Sequence, residues 1–290
     1  MEQKDLLKKV RKLEIKSRGL SAHLFSGQYH SAFKGRGMSF SEVREYQPGD
    51  DIRTIDWNVT ARLNHPYVKV YEEERELTIM LVVDVSGSKD FGTQVQFKMD
   101  LVTEVCATLA FSSLQNNDKI GVILFSDIIE KFIPPKKGKS HVLRVIRELI
   151  DFTPKQRRTN MNEALRFLTN VAKKRCTAFI LSDFMCQGFE DTLKIAAKKH
   201  DIVALRVADP REQALPDVGL VHFNDAETSE SLWVDTSDRA VRKNYEIHYK
   251  KQEEFVKNTL VRAGIDMAVL YTNQSWIQPL LNLFKRRGSR

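Results

Sequence analysis

The sequence predicts an α/β fold with a mainly parallel central sheet and helices on both faces. Two observations carry that prediction. Apolar and β-branched runs recur at Thr78–Val85, Lys119–Phe125, Thr177–Ser182 and Ile202–Val207. Strands covered on both faces read as such continuous runs rather than as alternating patterns. Stretches of helical length separate most of them, near residues 95–115, 140–151, 161–173 and 188–199, and alternating strands and helices form βαβ units.

In chain order, residues 1–32 read as helical, with Leu6, Leu7, Val10, Leu13 and Ile15 on a partly amphipathic face. From Gly35 to Arg75, Gly35, Gly37, Pro48, Gly49 and Pro66 punctuate short segments dense in Arg, Glu and Asp. That composition predicts loops and short strands held by charge pairs and by packing of Trp57, a brace without a core of its own. The regular region then begins, with a further short strand near Ile128–Ile133. A hairpin is expected over residues 218–236, where VGLVHF and SLWVDT flank a polar turn. A long helix near 238–262, a strand at Ile265–Tyr271 and a closing helix complete the chain. The expected division is residues 1–76 as an N-terminal segment and 77–290 as the α/β domain.

The 290 residues suffice for one large domain. Hydrophobic residues at 42% and charged residues at 29% exclude a disordered chain. No apolar run is long enough to span a bilayer and the first residues lack an apolar signal core, so a cytoplasmic location is expected. Cys106, Cys176 and Cys186 form no CxxC pair and suit small buried positions in a reducing compartment. The net charge of +8 gathers partly between Lys131 and Arg158 and at the C-terminus. No aromatic-and-basic motif or zinc finger accompanies it, so nucleic-acid binding is a secondary alternative.

The chemistry concentrates after the first buried strand, because ligands of open α/β sheets bind beyond the carboxyl ends of the strands. There stand Asp84, Ser86 and Ser88, with Gly87 allowing a tight turn. A carboxylate and two hydroxyls at alternate positions are hard oxygen donors, suited to Mg²⁺, Mn²⁺ or Ca²⁺. Thr159, in a loop before a helix, and Asp183, at the end of TAFILS, are placed to complete the set. Gly138-Lys139-Ser140 lacks the earlier glycine of a phosphate-binding loop, that position being Ile133. The seven histidines are scattered.

The set Asp84-x-Ser86-x-Ser88, Thr159 and Asp183 resembles the metal-ion-dependent adhesion site of von Willebrand factor A domains. The resemblance implies that Ser86, Ser88 and Thr159 supply hydroxyls to the metal, some through water. Asp84 and Asp183 would bind mainly through water or hold the hydroxyls in place. A partner protein would then supply a carboxylate to the vacant position. Upstream, Gly35-Arg36-Gly37-Met38-Ser39-Phe40, the run Glu42 to Arg53, Ile55-Asp56-Trp57-Asn58-Val59-Thr60-Ala61-Arg62 and Tyr67-Val68-Lys69 resemble the family called domain of unknown function fifty-eight. That resemblance implies an adaptor of a MoxR-type AAA+ ATPase, not an enzyme. Lys89-Asp90 departs from the hydrophobic residue common after the second serine, and an ammonium there would weaken a cation. An enzyme of the haloacid dehalogenase kind is the competing class. Its phosphotransfer needs a second Asp as general acid where this chain has Ser86.

Overall fold

A computed structural model of the chain describes residues 10, 11, 13–15, 17, 38–73, 76–87, 97–224 and 231–289. The start of the expected N-terminal helix, Ser88, Lys89-Asp90 and the turn at 225–230 lie outside the described residues. The described residues form two compact units. The smaller lies within 34–77, and the larger runs from Thr78 onward and takes in the helical residues between 10 and 17.

In the smaller unit, strands β1 (Met38–Glu45) and β2 (Tyr67–Glu73) pair antiparallel, with a bulge between Phe40 and Glu42. The segment between them holds a single 3₁₀ turn (Ile52–Thr54) and helix α1 (Trp57–Leu63). Its polar residues make the turns. Gly49 takes φ +111° in the Pro48-Gly49 turn, a conformation that disfavours a Cβ. Arg44 grips Asp50 bidentately at 2.8 and 2.7 Å. Asp56 caps α1 by accepting from the Asn58 and Val59 amides. The charge pairs expected of a brace are present, but the expected packing of Trp57 is not. Trp57 is 69% exposed and Ile52 68%, because each sits in the first turn of a short helical piece that faces outward.

In the larger unit, six strands lie in the order β10-β7-β6-β3-β4-β5. They are β3 (Thr78–Asp84), β4 (Lys119–Phe125), β5 (Ile129–Lys136), β6 (Thr177–Ser182), β7 (Asp201–Ala208) and β10 (Asp266–Tyr271). All neighbours are parallel except β5, which pairs antiparallel with β4. Helices α2 (Lys98–Gln115), α3 (Lys139–Asp151), α4 (Met161–Val171), α5 (Glu190–Lys199), α6 (Arg239–Arg262) and α7 (Ile277–Gly288) cover both faces. One core joins Met80, Val82, Ala178 and Ile180 of the sheet to Leu165, Leu193 and Val256 of α4, α5 and α6. On the other face Phe179 packs edge-on against Phe284 of α7, and α2 is buried almost all round. The expected fold class is the one observed. The hairpin, β8 (Leu220–Asn224) with β9 (Ser231–Asp235), forms a separate two-stranded sheet.

One of the two edge strands of the sheet is β5, and it carries Pro134 and Pro135, which cannot donate to another strand. The register slips there by one residue, so that Pro134 and Pro135 of β5 stand opposite the single Gly121 of β4. A Cβ at Gly121 would stand 2.8 Å from the Ile133 carbonyl oxygen and 2.9 Å from both the Met80 sulfur and the Pro135 nitrogen.

Cys106 and Cys176 are buried as expected, while Cys186 is half-buried. His200, wholly enclosed after α5, holds its Nδ1 3.4 Å from the Cys176 sulfur. Its Nε2 has no hydrogen-bond partner among the described residues. Burial, then the charges of Lys199 and Arg175, push the imidazole down to about 4. The unfolded chain, with an ordinary histidine near 6.5, therefore binds more protons between those values. This contribution to stability is complete above pH 6.5 and is lost as pH falls toward 4. At pH 5 the loss is about 2 kcal/mol. Urea midpoints at pH 7.5 and pH 5 should therefore separate more for wild type than for His200→Gln. Equal separations would show that the ring is accessible to protons in the fold.

Candidate functional site

The chain runs from β3 outward to β4 and β5, then returns across the sheet to lay β6 on the other side of β3. This is the doubly wound order, and the point where it reverses leaves a crevice beyond two strand ends, the usual ligand position in such sheets. The two strands are β3 and β6, in parallel register with Val83 beside Leu181. The residues that leave the sheet there are Asp84 on one strand and Ser182-Asp183 on the other. Their convergence follows from connectivity alone.

Asp84 organises this rim. Its Oδ1 accepts from the Ser86 amide at 3.0 Å, and its Oδ2 accepts from the Ser182 hydroxyl at 2.7 Å. Burial, then the neighbouring Asp183 carboxylate, push Asp84 up to about 7, although the serine hydrogen bonds pull the other way.

The Thr159 loop docks on the same rim. The Gly87 amide donates to the Arg157 carbonyl at 2.8 Å, and the Asn160 amide donates to the Ser126 carbonyl, one residue past β4, also at 2.8 Å. Thr159 is half-buried between those two anchors. The Asn160 side chain then caps α4 through the Glu163 amide. Of the five sequence-derived residues, Asp84, Ser86, Thr159 and Asp183 thus stand along one edge of the sheet, and Ser88 is outside the described residues.

Three participants were not foreseen. Ser182 bonds to Asp84 and accepts from the Phe184 amide at 3.0 Å; only its place beside Asp183 hinted at it. Lys98, in the first turn of α2, reaches Asp183 at 3.3 Å and Glu212 at 2.5 Å while being buried. A cation is disfavoured by the positive end of a helix and by burial. The two carboxylates overcome the burial and hold the ammonium above its ordinary range. Arg206 of β7 lies beneath, donating to the Asp183 carbonyl at 3.3 Å, Glu253 at 2.6 Å and the Tyr249 hydroxyl at 3.2 Å. Phe184, buried beside Phe189, adopts φ +59°, the left-handed region that a bulky side chain enters only at a cost of about 1–2 kcal/mol.

The donor chemistry fits a hard divalent cation. Among the described residues no group of three or more His, Cys, Asp or Glu gathers as a metal cluster. The rim instead offers two carboxylates and hydroxyls, all oxygen, with the Asp84 carboxyl raised by burial and then by the neighbouring Asp183. Oxygen donors of this kind suit Mg²⁺, Mn²⁺ or Ca²⁺ and not zinc.

A doubly wound α/β protein with an acidic and hydroxyl-bearing crevice at its switch point is thereby defined. The chain belongs to the DUF58 family (protein of unknown function DUF58), whose model matches residues 42–255. An uncharacterized protein of Mycobacterium tuberculosis is 30% identical over 285 residues, covering 97% of this chain and 90% of that one. Among solved structures, the conserved hypothetical protein BatB of Bacteroides thetaiotaomicron aligns at TM-score 0.48 and 15% identity, over 74% of this chain and 100% of that one. The SpRpn10 VWA domain aligns at TM-score 0.38 and 9% identity, over 71% of this chain and 94% of that domain. Among the described residues no helix is long and apolar enough to cross a membrane.

Proposed function

We propose that the crevice between β3 and β6 is a metal-ion-dependent protein-binding site. Ser86, Ser88 and Thr159 would present hydroxyls to Mg²⁺, or to Mn²⁺ or Ca²⁺, and Asp84 and Asp183 would hold those hydroxyls or bind through water. When bound, the cation supplies an electrophilic position that a carboxylate from a partner protein can fill. The protein's own residues set this up: Asp84 fixes Ser86 and Ser182 by two hydrogen bonds, and the Gly87–Arg157 bond keeps the Thr159 loop in place. The partner would be a MoxR-type AAA+ ATPase, with this chain as its adaptor and not as an enzyme. The single observation that supports the reading best is the meeting of Asp84 and Asp183 at the switch point with hydroxyls, rather than a second catalytic carboxylate, around them.

Isothermal titration with Mg²⁺ and Mn²⁺ should show one site in wild type. Ser86→Ala should weaken it about tenfold or more, the loss of one oxygen and its hydrogen bond being worth roughly 1–2 kcal/mol. Capture of a purified MoxR-type ATPase should need the divalent ion and fail in chelator. Equal ion binding by Ser86→Ala and wild type would remove the site from consideration.

A further inference from the structure

The loop that brings Thr159 to the crevice also carries Lys155, Arg157 and Arg158, all exposed. Elsewhere on the surface, basic side chains meet carboxylates, as in Arg44–Asp50, Lys131–Glu148 and Arg242–Asp217. Among the described residues, the three cations of this loop have no carboxylate within ion-pair distance.

The backbone beneath them is tied down at both ends. Glu130 of β5 accepts on its Oε1 from the Ser126 hydroxyl at 2.9 Å and from the Lys155 and Gln156 amides at 2.9 and 3.0 Å. Its Oε2 is buried, so this acid faces the protein and grips the loop's main chain rather than its cationic heads. At the far end the Gly87 amide holds the Arg157 carbonyl at 2.8 Å. Gly87 follows Ser86, and Arg158 precedes Thr159. Both arginines therefore stand one backbone step from residues that would present hydroxyls to a cation.

We propose that this loop selects the partner, and that it selects an acidic protein segment carrying several carboxylates. One carboxylate enters the crevice, and its neighbours meet Lys155, Arg157 and Arg158. Exposed charge of one sign beside a crevice steers opposite charge toward it, and arginine matches a carboxylate bidentately. A backbone already fixed by Glu130 and Gly87 lowers the ordering cost of binding. Nucleic acid suits the loop less well, because no aromatic residue for a base to stack on lies between Thr153 and Asn160. The proposal rests on the metal-site reading for the first carboxylate only; the contacts with the loop need no cation.

Fluorescence anisotropy of the full chain tests it, with a labelled decapeptide of alternating Glu and Gly, its Gln counterpart and a single-stranded thymidine decamer as probes. In Mg²⁺ the Glu peptide should bind wild type at least about tenfold more tightly than the Gln peptide, and about 500 mM salt should weaken it by screening. Arg157→Gln/Arg158→Gln should bind the Glu peptide about tenfold more weakly. The same variant should take up Mg²⁺ at least as tightly as wild type in titration calorimetry, because two positive charges no longer stand beside the ion. These opposite signs separate a loss of recognition from a loss of fold. Loop-dependent binding of the Glu peptide that is equal in Mg²⁺ and in chelator would keep this inference and remove the metal-site reading. Wild type that binds Mg²⁺ but not the Glu peptide, a double variant with unchanged peptide affinity, or a thymidine decamer bound as tightly as the peptide would overturn the inference.

Discussion

Lys98→Met should lower the unfolding free energy by about 3 kcal/mol, the scale on which removal of one partner from a buried ion pair destabilises a protein. Methionine fills a similar volume, so the effect isolates charge. The ammonium is only 5% exposed and serves two carboxylates from separate parts of the chain: Asp183 after β6 and Glu212 after β7. Without it, Asp183 and Asp84 are left as a close acidic pair with no lysine between them and α2. Denaturant unfolding in chelator measures the loss. If the rim takes a divalent ion, Mg²⁺ should recover more stability in Lys98→Met than in wild type, because ligand binding stabilises by mass action and the ion no longer competes with an ammonium for Asp183. A loss under about 1 kcal/mol would mean that the pair is solvated and not a strut.

Gly121→Val should destabilise by about 3 kcal/mol, and Gly121→Ala by about 2 kcal/mol. Valine suits strands by general preference, so the expected sign runs against propensity. The reason is the closeness of the Ile133 carbonyl and the Pro135 nitrogen, which are backbone atoms of the slipped β5 register and cannot swing aside. Urea midpoints give the answer directly. An alanine variant within about half a kcal/mol of wild type would show that β5 can retreat, as edge strands sometimes do.

The alternation of apolar runs with helical stretches was enough to expect the fold class, because a strand covered on both faces has nothing polar to hide. It also picked out the candidate residues, since position at a strand end in such a fold is the usual ligand position. Asp84 and Asp183 could be named from that rule, and Thr159 from its loop. The strand order could not be read, because nothing in TAFILS says that it pairs with β3 rather than with β5. Lys98 was invisible for a different reason. It opens a helix otherwise rich in apolar residues, where a lysine reads as a solvated end, and its two carboxylates lie 85 and 114 residues further on. Trp57 was misjudged because an aromatic amid charged residues suggests a packed brace, whereas the helix it opens is only seven residues long and offers it no cover.

The backbone at Phe184 carries a consequence for specificity. A large side chain stays in a left-handed conformation only while its ring remains wedged against Phe189 and its amide remains tied to Ser182. The neighbouring Asp183 is thus aimed by the packing of Phe184 together with the Lys98 ammonium and the Met185 amide, not by solvent or ligand. Recognition at this edge would resemble a rigid key seat more than a flexible glove. Conformational selection would contribute little to affinity, and substitutions deep in the interior near Phe189 could blunt recognition without touching any atom the ligand meets.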